Sequence, residues 1–447
     1  MGTVKSAGLT LASVAWLSSA WFGVQARAAD AGANAPAAIK TISNKPAVQA
    51  ALAQIRRDDE RTLREQIEIA EIPAPSRKEQ ARANDYIRRL RELGLNEIST
   101  DTEGNVIARR AGASREGPTL VLSAHLDTVF AEGTELKVRK EGNRYYGPGI
   151  TDDARGLAVL LTTLRAMQEH ELRTQGDVLF VATVGEEGLG NLRGVKALFR
   201  DRNDIDGFIS VDGTESPRTP AGASEVVTRA VGSHRWQISF TGPGGHSYEN
   251  FGSPSAVHAM GRAISAIADL QAPADPKTTF TVSIVSGGSA INAIAEQAQL
   301  QLDIRSESAS ALAAMEEQIL AAAERAGVAE GKRWNAEPVR VERKLLGDRP
   351  AGAGGNDNAV ASAWTSAMLA LGLRPIAVAG STDANVPMGL GIPSITASGG
   401  GVADKAHSLD EWYEPVNSWL GPQGLLLTSL ALAGIEGGPK PLLPRRH

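Results

Sequence analysis

The sequence contains no cysteine, few aromatic residues (4%) and no block of lysine and arginine in its 447 positions. The absence of cysteine excludes disulfide bonds and thiolate metal sites, so only histidine, aspartate and glutamate could bind a metal ion. The net charge of −5 argues against a nucleic-acid-binding protein. Hydrophobic (42%) and charged (22%) residues occur in the proportions of a soluble globular protein, and the length suits two domains.

The N-terminus has the pattern of an export signal. Lys5 precedes an apolar stretch, and the sequence Ala-Arg-Ala at 26–28 is typical of a signal-peptidase site. A membrane anchor is the alternative, but the stretch is short and contains serine and glycine. We expect residues 1–29 to be a removed signal peptide and residues 30–45 to be a flexible mature N-terminus. The protein would then be periplasmic or secreted, without stable membrane association.

Strand and helix patterns alternate along most of the chain. Residues 46–95 repeat apolar residues at helical spacing and predict helices. Apolar strands such as TLVLSAHLDTVF and DVLFVATVGEEG then alternate with helices such as ARGLAVLLTTLRAMQEHEL. Buried strands alternating with helices predict an α/β fold with a mostly parallel sheet covered by helices on both faces.

The alternation of buried strands and helices stops near residue 222 and resumes from residue 337. The intervening stretch reads as an α+β unit of roughly a hundred residues, similar to a ferredoxin-like domain. We predict that residues 46–221 and 337–447 form one α/β domain and that residues 222–336 form an inserted domain.

Polar side chains mark the ends of several apolar strands. His125 and Asp127 are two residues apart, so both would point to the same side of a strand. Asp152 begins a pair of aspartates in a glycine-rich turn, and Glu186 and Glu187 are adjacent in the sequence GEEG.

Two further polar residues lie at or beyond the ends of later strands. Asp212 ends the strand FISVDG, and His407 lies in a late loop. Ligands of open α/β sheets gather at the carboxyl ends of the strands, so these five segments should converge in one crevice. Each residue alone could be a turn former or a structural histidine, but five polar ends in this order are specific.

The ordered motifs HLDTV, GPGITDDARG, GEEG, VDG and a late histidine resemble the co-catalytic dizinc aminoacylase and carboxypeptidase family. This family includes glutamate carboxypeptidase, acetylornithine deacetylase, succinyl-diaminopimelate desuccinylase and peptidase T. The resemblance implies two Zn²⁺ per subunit, for which Co²⁺ or Mn²⁺ could substitute. It implies five metal ligands, which are His125, Asp152, Glu187, Asp212 and His407.

The resemblance also assigns roles around the metal ions. Asp152 would bridge them, with a cis peptide bond after it, and Asp127 would orient His125. Glu186 would be the general base, taking a proton from the water that bridges the two ions and giving it to the leaving amine. Two glutamates are needed because metal ligation and proton transfer are separate tasks.

The inserted domain matches the lid and dimerisation domain of the family. His246 in GPGGHS would reach across a homodimer and stabilise the oxyanion. Asn292 would contact the substrate carbonyl, and Arg305 would bind a substrate carboxylate through two hydrogen bonds. Ala295 stands where relatives usually carry proline.

These observations lead us to expect a zinc-dependent metallopeptidase that hydrolyses small peptides as an exopeptidase, either a dipeptidase, a tripeptidase or a carboxypeptidase. The alternatives are an N-acyl-amino-acid deacylase of the same family and a non-catalytic binding relative. The second alternative predicts loss of ligands or of the base, and the sequence retains all of them. Whether N-terminal or C-terminal residues are removed stays open.

Overall fold

The computed structural model describes residues 33–352 and 358–446. The export signal predicted over residues 1–29 lies outside these ranges. Within them, no helix combines the length and the apolar character needed to cross a bilayer.

Helices of the described ranges pack on the two faces of a central sheet and on one face of a second sheet. They are α1 (residues 33–43), α2 (Pro46–Arg57), α3 (Asp59–Ala70), α4 (Gln80–Glu92), α5 (Ala154–Glu169), α6 (Arg193–Asp201), α7 (Ala256–Ala268), α8 (Ala309–Arg333), α9 (Ala359–Ala370), α10 (Asn385–Gly389) and α11 (Leu420–Leu432).

The strands form one large sheet, one lid sheet and two small sheets. They are β1 (Glu97–Thr100), β2 (Val106–Arg110), β3 (Thr119–His125), β4 (Arg139–Glu141), β5 (Arg144–Tyr146), β6 (Asp177–Thr183), β7 (Gly207–Val211), β8 (Ala223–Ala230), β9 (Gly232–Thr241), β10 (Gly245–His246), β11 (Thr278–Gly287), β12 (Ala293–Ile294), β13 (Gln297–Ser306), β14 (Arg340–Arg349), β15 (Arg374–Gly380), β16 (Ser394–Ala397), β17 (Val402–Asp404) and β18 (Trp412–Glu414).

The central sheet has eight strands in the order β1-β2-β6-β3-β7-β16-β8-β15. Its middle strands β6, β3, β7 and β16 run parallel. Leu120 and Leu122 of β3 pack into the core beside α5, whereas Val121 packs into a separate core with α6 and α10. This alternation confirms the predicted α/β fold with helices on both faces.

The inserted domain is an antiparallel sheet in the order β11-β13-β9-β14 with α7 and α8 packed against it. The chain order β-α-β-β-α-β with this sheet order is ferredoxin-like, as predicted. It has a core of its own, which includes Phe240, Leu300 and Ile319.

The predicted boundaries of this domain, 222–336, are wrong at both ends. Strand β8 (Ala223–Ala230) pairs with β15 and β16 of the central sheet, so the lid begins at Gly232. Strand β14 pairs with β9, so the lid ends at Arg349. A single residue, Val231, separates β8 from β9.

The flexible segment predicted over residues 30–45 is also corrected. Residues 33–43 form helix α1, and Ala35, Ile39 and Ile42 are buried in the main core. These apolar residues recur at helical spacing, so the helix is held by packing although its alanine-rich sequence suggests a linker.

Candidate dinuclear metal centre

The carboxyl ends of the central parallel strands carry the polar residues predicted to converge. His125 is the last residue of β3, and Asp212 directly follows β7. Glu187 follows β6 after a short turn, and His407 lies in the loop after β17. Because parallel strands end at the same edge of the sheet, these residues meet in one crevice.

Possible metal-ligand atoms cluster in groups whose members lie within 4.8 Å of one another. Two groups consist only of predicted ligands and share Asp152. They are His125, Asp152 and Asp212, and Asp152, Glu187 and His407. A third group contains His125, Glu186 and Glu187. The structure therefore brings together all five predicted ligands in two adjoining sets.

Asp152 connects the two sets with one oxygen in each. Its Oδ1 lies 2.8 Å from His125 Nε2, and its Oδ2 lies 2.8 Å from His407 Nε2. The Asp152–Asp153 peptide bond is cis, as the resemblance implies. A carboxylate that faces two imidazoles in this way can bridge two cations.

The hydrogen bonds of His125 show that a cation fits beside it. Its Nδ1 lies 3.0 Å from the main-chain carbonyl oxygen of Asp127, which can only accept, so Nδ1 carries a hydrogen. In the neutral ring Nε2 then presents a lone pair to the Asp152 carboxylate. Two acceptors at that separation require a positive charge, either a proton or a metal ion, to be shared between them.

Glu187 supplies an independent indication of a cation. Its Oε1 is buried without a hydrogen-bond partner, although it lies 3.1 Å from His407 Nε2. A buried carboxylate oxygen left in this state is costly unless it binds a cation. The set of two imidazoles and three carboxylates fits zinc, cobalt or manganese.

The Asp127 carboxylate has a different role from the one expected. It accepts the main-chain N–H groups of Glu186 (2.9 Å) and Glu187 (3.1 Å), and the Ser76 hydroxyl also donates to it. Its Oδ1 is 3.7 Å from His125 Nδ1, so the ring is oriented by the main-chain carbonyl of Asp127 instead. The carboxylate fixes the turn that carries both glutamates.

Glu186 is buried, and its Oε1 accepts a hydrogen bond of 2.9 Å from Arg349 Nη1. Burial raises the pKa of Glu186 well above its usual range, and the charge of Arg349 opposes this shift. Glu186 also lies within 4.8 Å of ligand atoms of His125 and Glu187. A carboxyl group with a raised pKa beside a cation site is suited to moving protons.

Sequence reasoning missed Arg349 and Glu411. Arg349 belongs to a lid strand assigned to the other domain, so no local pattern linked it to Glu186. Glu411 lies four residues after His407, and its carboxylate accepts hydrogen bonds from the main-chain N–H groups of Gly149 (2.9 Å) and Thr151 (2.8 Å). It therefore holds the turn that leads into Asp152.

The pKa shifts of the ligand residues reflect their mutual contacts. Burial raises the pKa of Asp212 to about 7, and nearby carboxylates add to the shift. Burial would raise the pKa of Asp152, but hydrogen bonds with His125 and His407 lower it below the usual range. The nearby carboxylates of Asp152 and Glu187 raise the pKa of His407 to about 11.

The lid residues predicted to contact substrate divide into two groups. Arg305 lines a cavity of about 610 Å³ together with Asp152 and His407. His246 and Asn292 are exposed and do not line this cavity. They are neighbours of each other, since Ser247 N donates to the Asn292 carbonyl oxygen at 2.9 Å.

The model of peptidase family M20/M25/M40 matches residues 121–425, which is more than half of the chain. The chain belongs to this peptidase family. Peptidases, for which the family is named, hydrolyse amide bonds. The match spans the lid and all five candidate ligands.

Individual relatives agree with this assignment. The chain is 27% identical over 225 residues to carboxypeptidase G2 of Pseudomonas sp. (strain RS-16), covering 48% of this chain and 52% of that protein. It is 24% identical over 369 residues to the uncharacterized protein YqjE of Bacillus subtilis (strain 168), covering 79% and 93%. The alignment with carboxypeptidase G2 thus spans about half of that relative.

Among solved structures, the fold is similar to that of an aminopeptidase PepT from Bacillus cereus ATCC 10987. The TM-score is 0.68 with 22% sequence identity, and the superposition covers 83% of this chain and 97% of the other. At this identity the likeness concerns the fold alone.

Proposed function

We propose that this member of the family is a zinc-dependent exopeptidase that hydrolyses the amide bonds of small peptides. The observation that carries the proposal is that Asp152 joins two ligand sets beside Glu186. The Glu186 side chain contacts Arg349 rather than a ligand histidine. Metal ligation and proton transfer are thereby assigned to different carboxylates.

The five ligands would hold two zinc ions. Such a pair supplies Lewis-acid polarisation of a carbonyl group and a shared water molecule of lowered pKa. The Glu186 carboxylate would take a proton from that water and later give it to the nitrogen of the leaving amine. Burial raises the pKa of Glu186, which favours this exchange because it makes the carboxylate a stronger base.

Arg305 supports a substrate with a free carboxylate. Its guanidinium group lies in the same cavity as Asp152 and is about two-fifths exposed, and its Nε donates to Asp303. The remaining N–H groups could bind a carboxylate in a forked arrangement. A cavity of about 610 Å³ accommodates a small peptide. An N-acyl amino acid also presents a free carboxylate, so deacylation is the second candidate function.

His246 and Asn292 support a site completed by a partner subunit. Both are exposed on the lid and lie outside the cavity of their own chain. In a homodimer joined through the lids, these residues would reach the other subunit's substrate, where His246 would stabilise the oxyanion. We also propose that residues 1–29 direct export, so that the mature enzyme acts in the periplasm or outside the cell.

The test compares three proteins, which are the wild type, Glu186→Gln and Glu187→Gln. Each is assayed with dipeptides, tripeptides and N-acetyl amino acids by mass spectrometry, and its zinc content is measured. We expect Glu186→Gln to keep two zinc ions and lose hydrolysis, and Glu187→Gln to lose zinc. A zinc-loaded wild type that cleaves none of these substrates would overturn the proposed function, and cleavage of acyl amino acids alone would favour the deacylase.

A further inference from the structure

Arg349 is the last residue of lid strand β14 and is 6% exposed. Its Nη1 donates to Glu186 Oε1 at 2.9 Å, and its Nη2 donates to the main-chain carbonyl oxygen of Glu186. One planar guanidinium group therefore fixes both the side chain and the main chain of the same glutamate. Nη1 also donates to Ser381 Oγ at 3.3 Å.

The main chain next to Arg349 is held where the lid joins the central sheet. Asn385 Nδ2 donates to the carbonyl oxygens of Val231 (2.8 Å) and Pro350 (3.0 Å), which belong to the two connections between the domains. Ala230 and Gly352 exchange main-chain hydrogen bonds beside them. Arg349 thus extends from a part of the lid that hydrogen bonds fix to the central-sheet domain.

Other contacts from the lid reach the same turn. The main-chain N–H of Asp348 donates to Asn191 Oδ1 at 2.8 Å, and Arg235 Nη1 donates to the carbonyl oxygen of Gly188. Together with Arg349 they connect strands β9 and β14 to the segment that follows β6. The position of this segment is therefore set from the lid side as well as by Asp127.

We propose that Arg349 is a positioning residue for the hydrolytic reaction. Its guanidinium group forms a hydrogen bond with Oε1 of Glu186. The other oxygen, Oε2, is then the one that transfers the proton. Among the hydrogen bonds of residues 33–352 and 358–446, none involves Glu186 Oε2. The inference rests on the proposed function in one respect, namely that Glu186 is the base.

The geometry requires arginine rather than a generic cation. Two parallel donors are needed for a carboxylate oxygen and a carbonyl oxygen at once, and the planar guanidinium group provides them in a fixed arrangement. A lysine ammonium at the same position would keep the charge but would not fix the same geometry. The substitution Arg349→Lys therefore separates charge from positioning.

Steady-state kinetics of zinc-loaded Arg349→Ala, Arg349→Lys and Arg343→Ala provide the first test. Arg343 lies on the same strand but is about half exposed, 3.7 Å from Glu324, and serves as the matched control. We expect kcat of Arg349→Ala to fall about 100-fold with KM changed less than about twofold, because a small misplacement of a catalytic group has that effect. Arg349→Lys should recover only part of the loss, and added guanidinium ions should raise kcat of Arg349→Ala.

Hydrogen–deuterium exchange of the metal-free proteins provides a second test that does not depend on activity. The amides of residues 185–191 should exchange faster in both Arg349 variants than in Arg343→Ala and the wild type. Unchanged exchange, an unchanged kcat for Arg349→Ala, or full recovery by lysine would overturn the positioning role. If Arg349→Ala fails to fold, the lysine variant decides by the same criteria.

The outcomes separate this inference from the proposed function. If Glu186→Gln hydrolyses substrate as fast as the wild type, Glu186 is not the base and the proposed function fails in that respect, whatever Arg349 does. If Glu186→Gln is inactive but the Arg349 variants have wild-type kcat and exchange, the base assignment stands and the role of Arg349 is rejected.

Discussion

The carboxylate of Asp127 accepts the main-chain N–H of Glu186 at 2.9 Å. Its second oxygen accepts the N–H of Glu187 at 3.1 Å. One buried side chain therefore sets the turn in which a metal ligand and a candidate base are adjacent. This contact therefore fixes the main chain from which both adjacent glutamates extend.

The substitution Asp127→Asn should destabilise this turn. An amide group has only one acceptor oxygen, so its NH₂ would face one of the two N–H donors. We expect the free energy of unfolding to fall by about 1–3 kcal/mol and kcat to fall by about 10- to 100-fold. Chemical denaturation and steady-state kinetics measure both, with the exposed Asp201→Asn as control. Wild-type values for Asp127→Asn would show that the contact is dispensable.

Removal of the Arg305 side chain should affect substrates according to their carboxyl terminus. We expect KM of Arg305→Ala for peptides with a free carboxylate to rise about 10- to 100-fold, since charged hydrogen bonds are lost. Amidated peptides should be poor substrates of the wild type and should be unaffected by the substitution. Equal turnover of acid and amide forms by the wild type would contradict the assigned contact.

Mixing two inactive variants tests the role of His246 across the dimer. In a dimer of His246→Ala with Glu186→Gln, one site would contain an intact Glu186 and the partner's intact histidine. Random reassociation should restore about a quarter of the wild-type activity. Size-exclusion chromatography of the mixture gives the oligomeric state. Persistent inactivity of a mixture that does form dimers would place His246 outside the partner's site.

The metal-free protein should lose thermal stability as the pH rises from about 6 to about 9. The nearby carboxylates of Asp152 and Glu187 raise the pKa of His407 from 6.5 to about 11. The folded state thus binds this proton more tightly than the unfolded chain, so the stabilisation is complete below pH 6.5 and is lost as the pH rises toward 11.

Scanning calorimetry of the metal-free wild type and of His407→Gln measures this effect. The melting temperature of the wild type should decrease across the range, and that of the variant should decrease less. A wild-type melting temperature that rises with pH, or identical slopes for both proteins, would contradict the linkage.

The fold and the ligand set could be predicted from the sequence because both have local signals. Buried strands give apolar runs, and polar residues such as His125 and Asp212 directly follow them. The boundary between β8 and β9 gave no such signal, since two strands of different sheets are separated only by Val231. Contacts across domains, such as that of Arg349 with Glu186, depend on the packing of distant segments and leave no pattern along the chain.

The central claim is that two metal ions share Asp152 while Glu186 stays free of metal. Anomalous diffraction at the zinc absorption edge from crystals of the zinc-loaded protein tests it directly. We expect two peaks within about 2.0–2.2 Å of ligand atoms, each adjacent to a different oxygen of Asp152. The first should also contact His125 and the second His407, with no metal on Glu186. A single peak, or a zinc ion bound to Glu186, would contradict the account.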